Sequence, residues 1–398
     1  MTRIVRPVAA HVTRPLVTAR ALRGFADGFA SVLLARYLDQ LGFSGAQIGI
    51  IVTATLLGSA ALTLVAGFRF TRFGARSVLL WSCVLMAATG LGFGSVTWFW
   101  PLVVIGFLGT LNPSGGDVSL FLPTEQAAMA DLTDVAERPH RFGVYNLAGT
   151  LAGAAGALAS ALPSRLAHTM GWDVLRTERL SFLVYVVTAA AAAGIYAQMR
   201  ETLPGPALRT GLHRSRRVVV KLSVLFAVDS AGGGFALQSL LVLYLYLRFD
   251  LSPAATGATL AATGVLSAFS QLASARIAGR IGLVRTMVYT HLPANLCLVL
   301  AGIVPNATAA IVFLLIRSAL SQMDVPARQA LVMRLVEPDE RAAAASITNV
   351  PRSLGSAMTP ALAGAMLDWS HVGWPLIVAG VTKGAYDLLL LAQPLDRD

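Results

Sequence analysis

Apolar residues run in long stretches along this chain, and short polar stretches part them. A run of about 20 apolar residues crosses the roughly 30 Å hydrocarbon core of a bilayer as a helix. Such runs lie near 17–39, 46–68, 77–96, 98–120, 142–163, 180–199, 219–247, 255–275, 284–304, 307–325, 343–367 and 371–392, which predicts twelve spans. The polar stretches differ in charge. Arg3, Arg6 and Arg14 precede the first span; Arg69, Arg72 and Arg76 follow the second; Arg138 and Arg141 follow the fourth. Arg200, Arg209, Arg214, Arg216, Arg217 and Lys221 fill the connection after the sixth. Arg276, Arg280 and Arg285 follow the eighth, and Arg328, Arg334 and Arg341 follow the tenth. The opposite side holds few: Arg165, Arg176, Arg179 and Arg248. The positive-inside rule then places both termini in the cytoplasm. Trp98, Trp100, Trp369 and Trp374 fall at the outer ends of spans, as an aromatic belt does.

Composition agrees with lipid as the solvent. The 398 residues are 56% hydrophobic and 13% charged, with mean hydropathy +0.67; soluble domains are about 25% charged. The net charge of +11 is explained by topology and by attraction to anionic lipid, so it calls for no nucleic-acid partner. The basic N-terminal arm leads into a first span with no small-residue cleavage site, so the span is expected to stay uncleaved in a multi-pass plasma or inner-membrane protein. Cys83 and Cys297 both fall in spans and carry no disulfide or metal expectation. Arg outnumbering Lys and the abundance of Ala point to a GC-rich bacterial genome.

One stretch resists the apolar pattern. SQMDVPARQALVMRLVEPDERAAAASITNVPRSLG, from Ser321 to Gly355, holds eight charged side chains. LPTEQAAMADLTDVAERPHRFGVYN, from Leu122, resembles it at an offset of 203: Pro123 falls on Pro326, Gln126 on Gln329, Glu137 on Glu340, Arg138 on Arg341 and Asn146 on Asn349. Glu125 falls on Arg328 and Asp131 on Arg334, with signs reversed. GFADGFA around Asp27 resembles VDSAGGGFA around Asp229, GFSGAQIG resembles DLSPAATG, and TRFGAR resembles GRIGLVR. Four matches in one order predict two parallel six-span halves: residues 1–199, a connecting loop over 200–218, and residues 219–398. The charged stretch is then the cytoplasmic end of span ten, a short loop and the start of span eleven. Glu125 with Arg328, and Asp131 with Arg334, are expected to pair across the halves when that face closes.

Twelve spans in two halves, a long basic central connection and a basic loop after span two resemble the major facilitator superfamily over nearly the whole chain. The resemblance implies an all-α integral membrane fold of two pseudo-symmetric six-helix bundles. Its loop motif is matched by Gly67, Arg72, Gly74 and Arg76, but Thr71 stands where the family has Asp, which puts the usual charge relay of that loop in doubt. A Gly-rich fifth span with a central Pro marks antiporters of the superfamily. Gly149, Gly153 and Gly156 supply the glycines, Ala154 stands at the Pro position, and the stripe serves helix packing equally well.

In such a fold the site lies near mid-membrane between the halves. Ionisable residues there are costly and tend to be functional. Asp27 and Asp229, taken as matching positions of the repeat, are the leading proton-coupling or substrate candidates; pairing with Arg20 or Arg23 for packing is the alternative for Asp27. Asn112 and Asp117 sit in LNPSGGDVS, where Pro and Gly disturb helical regularity. Arg317 and Asp324, seven apart, share a helix face, so Arg317 either binds an anion or holds Asp324. Arg352 lies early in span eleven near Asn349. Gln238 and Tyr244 are cavity-lining candidates on span seven. Lys383 and Asp387, four apart, are expected to bond each other.

The reading that unites these features is a secondary transporter working by alternating access, with a small-molecule substrate and protons as partners, acting as a monomer in the bilayer. Export by proton antiport is favoured over uptake by symport. No cofactor is expected, and no nucleotide-binding segment is seen. An embedded enzyme has little support: the six His are scattered, and neither HExxH nor GxSxG occurs. A lipid translocase stays open as a rival.

Overall fold

A computed structural model describes residues 8–69, 74–114, 121–131, 133, 137–199, 214–337, 340–370 and 372–393. Eighteen helices follow in order: α1 Val8–Gln40, α2 Gly45–Arg69, α3 Ala75–Ser95, α4 Phe99–Leu108, α5 Phe121–Asp131, α6 Arg138–Ala159, α7 Leu162–Met170, α8 Val174–Leu180, α9 Leu183–Ala197, α10 Arg216–Phe235, α11 Gln238–Phe249, α12 Pro253–Ile281, α13 Leu283–Ile303, α14 Ala307–Ser321, α15 Asp324–Leu335, α16 Arg341–Met358, α17 Pro360–Trp369 and α18 Trp374–Leu391. Among the described residues there is no strand. This is an all-α fold, and a bilayer explains why. With no water in the hydrocarbon, a helix satisfies every backbone group within itself.

Where it is described, each expected stretch overlaps one or two of these helices. Among the described residues eight stretches are long and apolar enough to cross a membrane by length and composition: Gly45–Val65, Ala75–Ser95, His140–Met170, Val174–Ala197, Arg216–Phe249, Leu283–Ile303, Ala307–Leu335 and Trp374–Leu391. Arg20, Arg23 and Asp27 crowd α1 with more charge than such a test admits, yet all three are buried.

Helix extends beyond the expected end of two spans. α5 lies just past the expected end of span four, and span ten continues from α14 into α15. The charged stretches therefore belong partly to the bundles. Glu125, Asp324 and Arg328 are buried there, not set at water-exposed ends. Their neutralisation by one another's neighbours offsets the cost of taking them out of water. Span seven is also broken. Gly232–Gly234 precede the end of α10, and the chain restarts at Gln238.

Packing repeats with the sequence. α1 packs on α6 as α10 packs on α16; α2 packs on α4 as α12 packs on α14; α3 packs on α9 as α13 packs on α18. The α1–α6 contact is a glycine seam, with Gly24 and Gly28 against the backbone of Gly149 and Gly153 and Gly156 against Phe25. A Cβ at Gly28 has no room there, so close backbone approach is the stripe's structural role.

The halves meet through α2 with α16 and α17, α6 with α12, and α1 with α11. α1 carries the chain away from the N-terminal side, so the start of α2 lies on the far side. There Asp368, at the end of α17, accepts from Gly45 N at 2.6 Å and Ala46 N at 2.8 Å. Thr53 Oγ1 accepts from Ala361 N at 3.1 Å. Trp98, Trp100 and Trp369 are exposed, as belt residues are.

Candidate functional site

In the first half, Arg23 on α1 pairs with Glu125 on α5, and Tyr145 of α6 and Tyr196 of α9 donate to the same carboxylate, Tyr196 at 2.5 Å. The Arg23 guanidinium also lies over the Phe121 ring, 4.1 Å from its centroid. Glu125 is 0% exposed, and its three partners come from three neighbouring helices. The expected Glu125–Arg328 pair is therefore not formed: each partner is committed inside its own half. The companion pairing of Asp131 with Arg334 involves the Asp131 side chain, which lies outside the described residues; Arg334 is exposed near the end of α15.

In the second half, Arg328 on α15 donates to Asp229 on α10 at 3.1 Å and pairs with Asp324 at 3.3 Å. Lys383 on α18 reaches the Asp229 carboxylate and the Asp229 carbonyl oxygen, the latter at 3.2 Å. This corrects the expected Lys383–Asp387 bond. Asp387 instead accepts from Asn295 at 2.7 Å and meets His291 Nδ1 at 2.9 Å, both on α13. The physical reason is facing: α18 presents Lys383 to α10 and Asp387 to α13.

The two ion pairs are equivalent with their charges exchanged. Glu125 and Arg328 already correspond at the 203 offset. Arg23 and Asp229 each stand five residues before a Gly-Phe-Ala, at Gly28 and Gly234. Asp27 stands immediately before its Gly-Phe-Ala, so Asp229 is the counterpart of Arg23, which corrects the assignment of Asp27 to Asp229.

Asp27 has different company. Tyr185 on α9 donates to it at 2.5 Å, and Asn112 also bonds it. The Asn112 N–H in turn reaches the Tyr185 hydroxyl at 3.4 Å, and Asn112 Oδ1 accepts from Ser114 Oγ at 2.6 Å. Arg23 and Arg20 stand nearby, but Arg23 is held by Glu125. Asn112 therefore belongs to the Asp27 site, at the break after α4. The next residue, Pro113, accepts at its carbonyl from Ser239 N across the halves at 3.1 Å.

The remaining candidates divide. Asp117 and Arg72 lie outside the described residues. Gly67 is in the last turn of α2, Gly74 caps the start of α3, and Arg76 is half-buried with an unbonded Nε. Asn146 is half-buried on α6 with an unbonded Oδ1. Asn349 is exposed and accepts from Arg352 at 3.3 Å. Gln238 is half-buried at the start of α11. Tyr244 donates to Ala301 O at 2.8 Å, so its hydroxyl ties α11 to α13 within one half. Arg317 is half-buried on α14 and does not hold Asp324, which Arg328 has taken.

Tyr145, Tyr185, Tyr196, His291 and Asn295 were not singled out from sequence. A signal existed for two pairs: Tyr185 and Tyr196 are eleven apart, three helical turns, and His291 and Asn295 are four apart, each pair on one helix face.

Comparisons with known proteins follow this geometry. The profile of the Major Facilitator Superfamily matches residues 16–322 and 230–395. An uncharacterized membrane protein of Saccharomyces cerevisiae, YJR124C, is 25% identical over 414 residues, covering 95% of this chain and 92% of its own. A D-xylose-proton symporter superposes with TM-score 0.76 at 14% identity, covering 95% of this chain and 97% of its own. A bacterial homolog of the human lysosomal transporter Spinster superposes with TM-score 0.73 at 15% identity, covering 97% of each chain. The nucleoside transporter NupG gives TM-score 0.71 at 13% identity, covering 97% of this chain and 99% of its own.

Proposed function

The chain belongs to the major facilitator superfamily and is a secondary transporter of a small molecule, and from that premise we propose that it exports its substrate in exchange for protons, with Asp27 as the proton-carrying group. The reading includes twelve spans, two halves at 1–199 and 219–398 joined by 200–218, cytoplasmic termini and a working monomer.

One observation carries it. Asp27 is a buried carboxylate held by neutral donors, Tyr185 and Asn112, one residue from a backbone bond that joins the halves. A carboxylate in an apolar span is expensive as an anion unless it is compensated. Asp229 is compensated twice, by Arg328 and Lys383. Asp27 is hydrogen-bonded by the dipoles of Tyr185 and Asn112, which also suit the neutral acid, with Arg23 and Arg20 nearby. Protonation turns one of the carboxylate oxygens that Asn112 and Tyr185 approach into a donor, so the two can no longer both donate to an anion. Asn112 then has reason to turn, and Pro113 O moves with it against Ser239 N. Proton binding is thus linked to a contact that exists when the far side is closed, which is what alternating access requires.

Export is supported by the glycine seam. Gly24 and Gly28 bracket Asp27 on α1, and the stripe of α6 lies against them. A seam of small residues lets the two helices slide where the proton binds. Competition between proton and substrate gives antiport; joint binding gives symport.

The test is accumulation of a labelled small-molecule panel in proteoliposomes under an imposed pH gradient, with Asp27→Asn beside the parent protein. Antiport predicts accumulation against proton flow in the parent, loss of that accumulation in Asp27→Asn, and retained substrate-for-substrate exchange. Accumulation with proton flow replaces antiport by symport. Accumulation indifferent to pH and to the substitution removes Asp27 from the mechanism.

A further inference from the structure

Two arginines remain after every carboxylate near Asp229 has been assigned. Asp229 is shared by Arg328 and Lys383, Asp324 is held by Arg328, and Asp387 faces His291 and Asn295. Arg317 on α14 makes no hydrogen bond or ion pair among the described residues, and its buried Nε is unbonded. Arg352 on α16 has one bond, to neutral Asn349, and its Nε is unbonded as well. Both lie within electrostatic reach of Asp229. The cluster therefore sets Arg317, Arg328, Arg352 and Lys383 against Asp229, Asp324 and Asp387. Among the described residues of the first half no such excess stands out: Arg20 and Arg23 stand against Asp27 and Glu125.

Both arginines are turned away from the lipid-facing sides of their helices. On α16, Asn349, Arg352, Ser353 and Ser356 form one stripe at helical spacing. Ile347, Leu354 and Met358 are exposed on the opposite face, where lipid belongs. A third face, with Thr348 and Gly355, packs on α10, where Gly355 meets Ala227. The polar stripe is partly exposed yet turned away from lipid, so it borders the aqueous space between the halves. Arg317 lies on the same side of α14 as buried Ala310, Leu314 and Ser321, and away from exposed Val312 and Ile316. A guanidinium in an apolar span without a counter-charge is costly. It is compensated when a planar anion accepts from its fork of donors.

Resting on the transporter reading above, we propose that Arg317 and Arg352 each offer an uncompensated guanidinium to an anion and that the transported molecule carries a carboxylate or a phosphate.

Cysteine chemistry tests this without a known substrate and without transport. Cys83 and Cys297 are replaced by Ser, and Ser353→Cys and Ser356→Cys are made in turn. Each is modified by a negatively charged and by a positively charged methanethiosulfonate reagent, with rates taken relative to free thiol. The expected result is a preference for the anionic reagent of about tenfold, flattened by Arg317→Gln and by Arg352→Gln. Sodium phosphate or sodium benzoate is expected to slow modification, and benzamide is not. Slowing in phosphatidylglycerol vesicles but not in phosphatidylcholine vesicles assigns the anion to a lipid headgroup. Preference for the cationic reagent, a preference untouched by either arginine substitution, no reaction at either cysteine, or protection by neither anion overturns the proposal. Loss of proton coupling alone leaves this readout intact, so the two readings fail separately.

Discussion

Arg23 and Glu125 offer the sharpest energetic test. Glu125 is fully buried and takes Arg23, Tyr145 and Tyr196. Removing one member of a buried ion pair costs about 3–5 kcal/mol, because the other charge is left uncompensated. A hydrogen bond between membrane helices contributes less, about 0.6 kcal/mol on average and up to 1.7 kcal/mol, since chains unfolded in lipid find other partners. The ion pair therefore outweighs the two tyrosines. Arg23→Met and Glu125→Gln each strand a partner and are expected to cost about 3–5 kcal/mol. The double substitution strands nothing: Met fills the volume beside Phe121, and the Gln amide oxygen still accepts from a tyrosine. It is expected to cost about 1–2 kcal/mol, so the cycle has a coupling of at least about 3 kcal/mol. Tyr145→Phe and Tyr196→Phe are expected to cost about 0.6–1.7 kcal/mol each. Equilibrium unfolding of the purified protein in mixed micelles of rising SDS fraction measures all five. Single costs that add to the double cost within about 0.5 kcal/mol would refute the claim that the pair compensates itself.

Other consequences follow from the same geometry. Arg328→Met strips both Asp229 and Asp324 and is expected to destabilise by about 3–5 kcal/mol, whereas Lys383→Met leaves Asp229 its arginine and costs about 1–2 kcal/mol; the same unfolding assay ranks them. Gly28→Ala forces a methyl onto the backbone of α6 and is expected to cost about 1–3 kcal/mol, read as a lowered Tm. Asp368→Ala removes the two bonds to the start of α2, worth about 0.5–2 kcal/mol as a helix cap. It shifts the equilibrium away from far-side closure by roughly 2-fold to 30-fold, visible as faster labelling of Ala46→Cys.

Fold class was legible because bilayer helices announce themselves through run length and flanking charge. The interior sites were less legible, and the reason is specific. Apolar runs end where charge begins, so span four was ended near 120 and span ten near 325, and Glu125 and Arg328 were read as reaching water. Only the pairing to Arg23 and Asp229, about a hundred residues away, turns those charges into interior ones. A one-dimensional pattern does not hold that information. The tyrosines were passed over for a similar reason: a hydroxyl on an apolar span reads as packing until a carboxylate is known to lie beside it. The repeat was found, but its register near Asp27 was taken from the shared acidic residue. The Gly-Phe-Ala spacing gives the better register, because packing constrains small residues more tightly than charge does.

That register carries one last consequence. In a fold with a pseudo-two-fold axis, equivalent positions approach each other across the axis when a face closes. On such an axis Arg23 is expected to approach Asp229, and Glu125 to approach Arg328. Each half stays neutral at its pair, and opposite signs meet across the axis. Two like-signed copies would repel instead. At roughly 10 Å and an effective dielectric near 20, one unit pair is worth on the order of 1.7 kcal/mol, and turning attraction into repulsion doubles the difference. The exchange variant Arg23→Asp with Glu125→Arg isolates this term, because the pair inside the half survives while both cross-axis signs change. Its stability is expected to stay within about 2 kcal/mol of the parent, helped by tyrosine hydroxyls that can accept as well as donate. Transport in proteoliposomes is expected to fall at least tenfold, with cysteines on the terminal side held accessible. Parent-like transport in a folded exchange variant would mean that the inverted signs serve each half alone and have no part in closing that face.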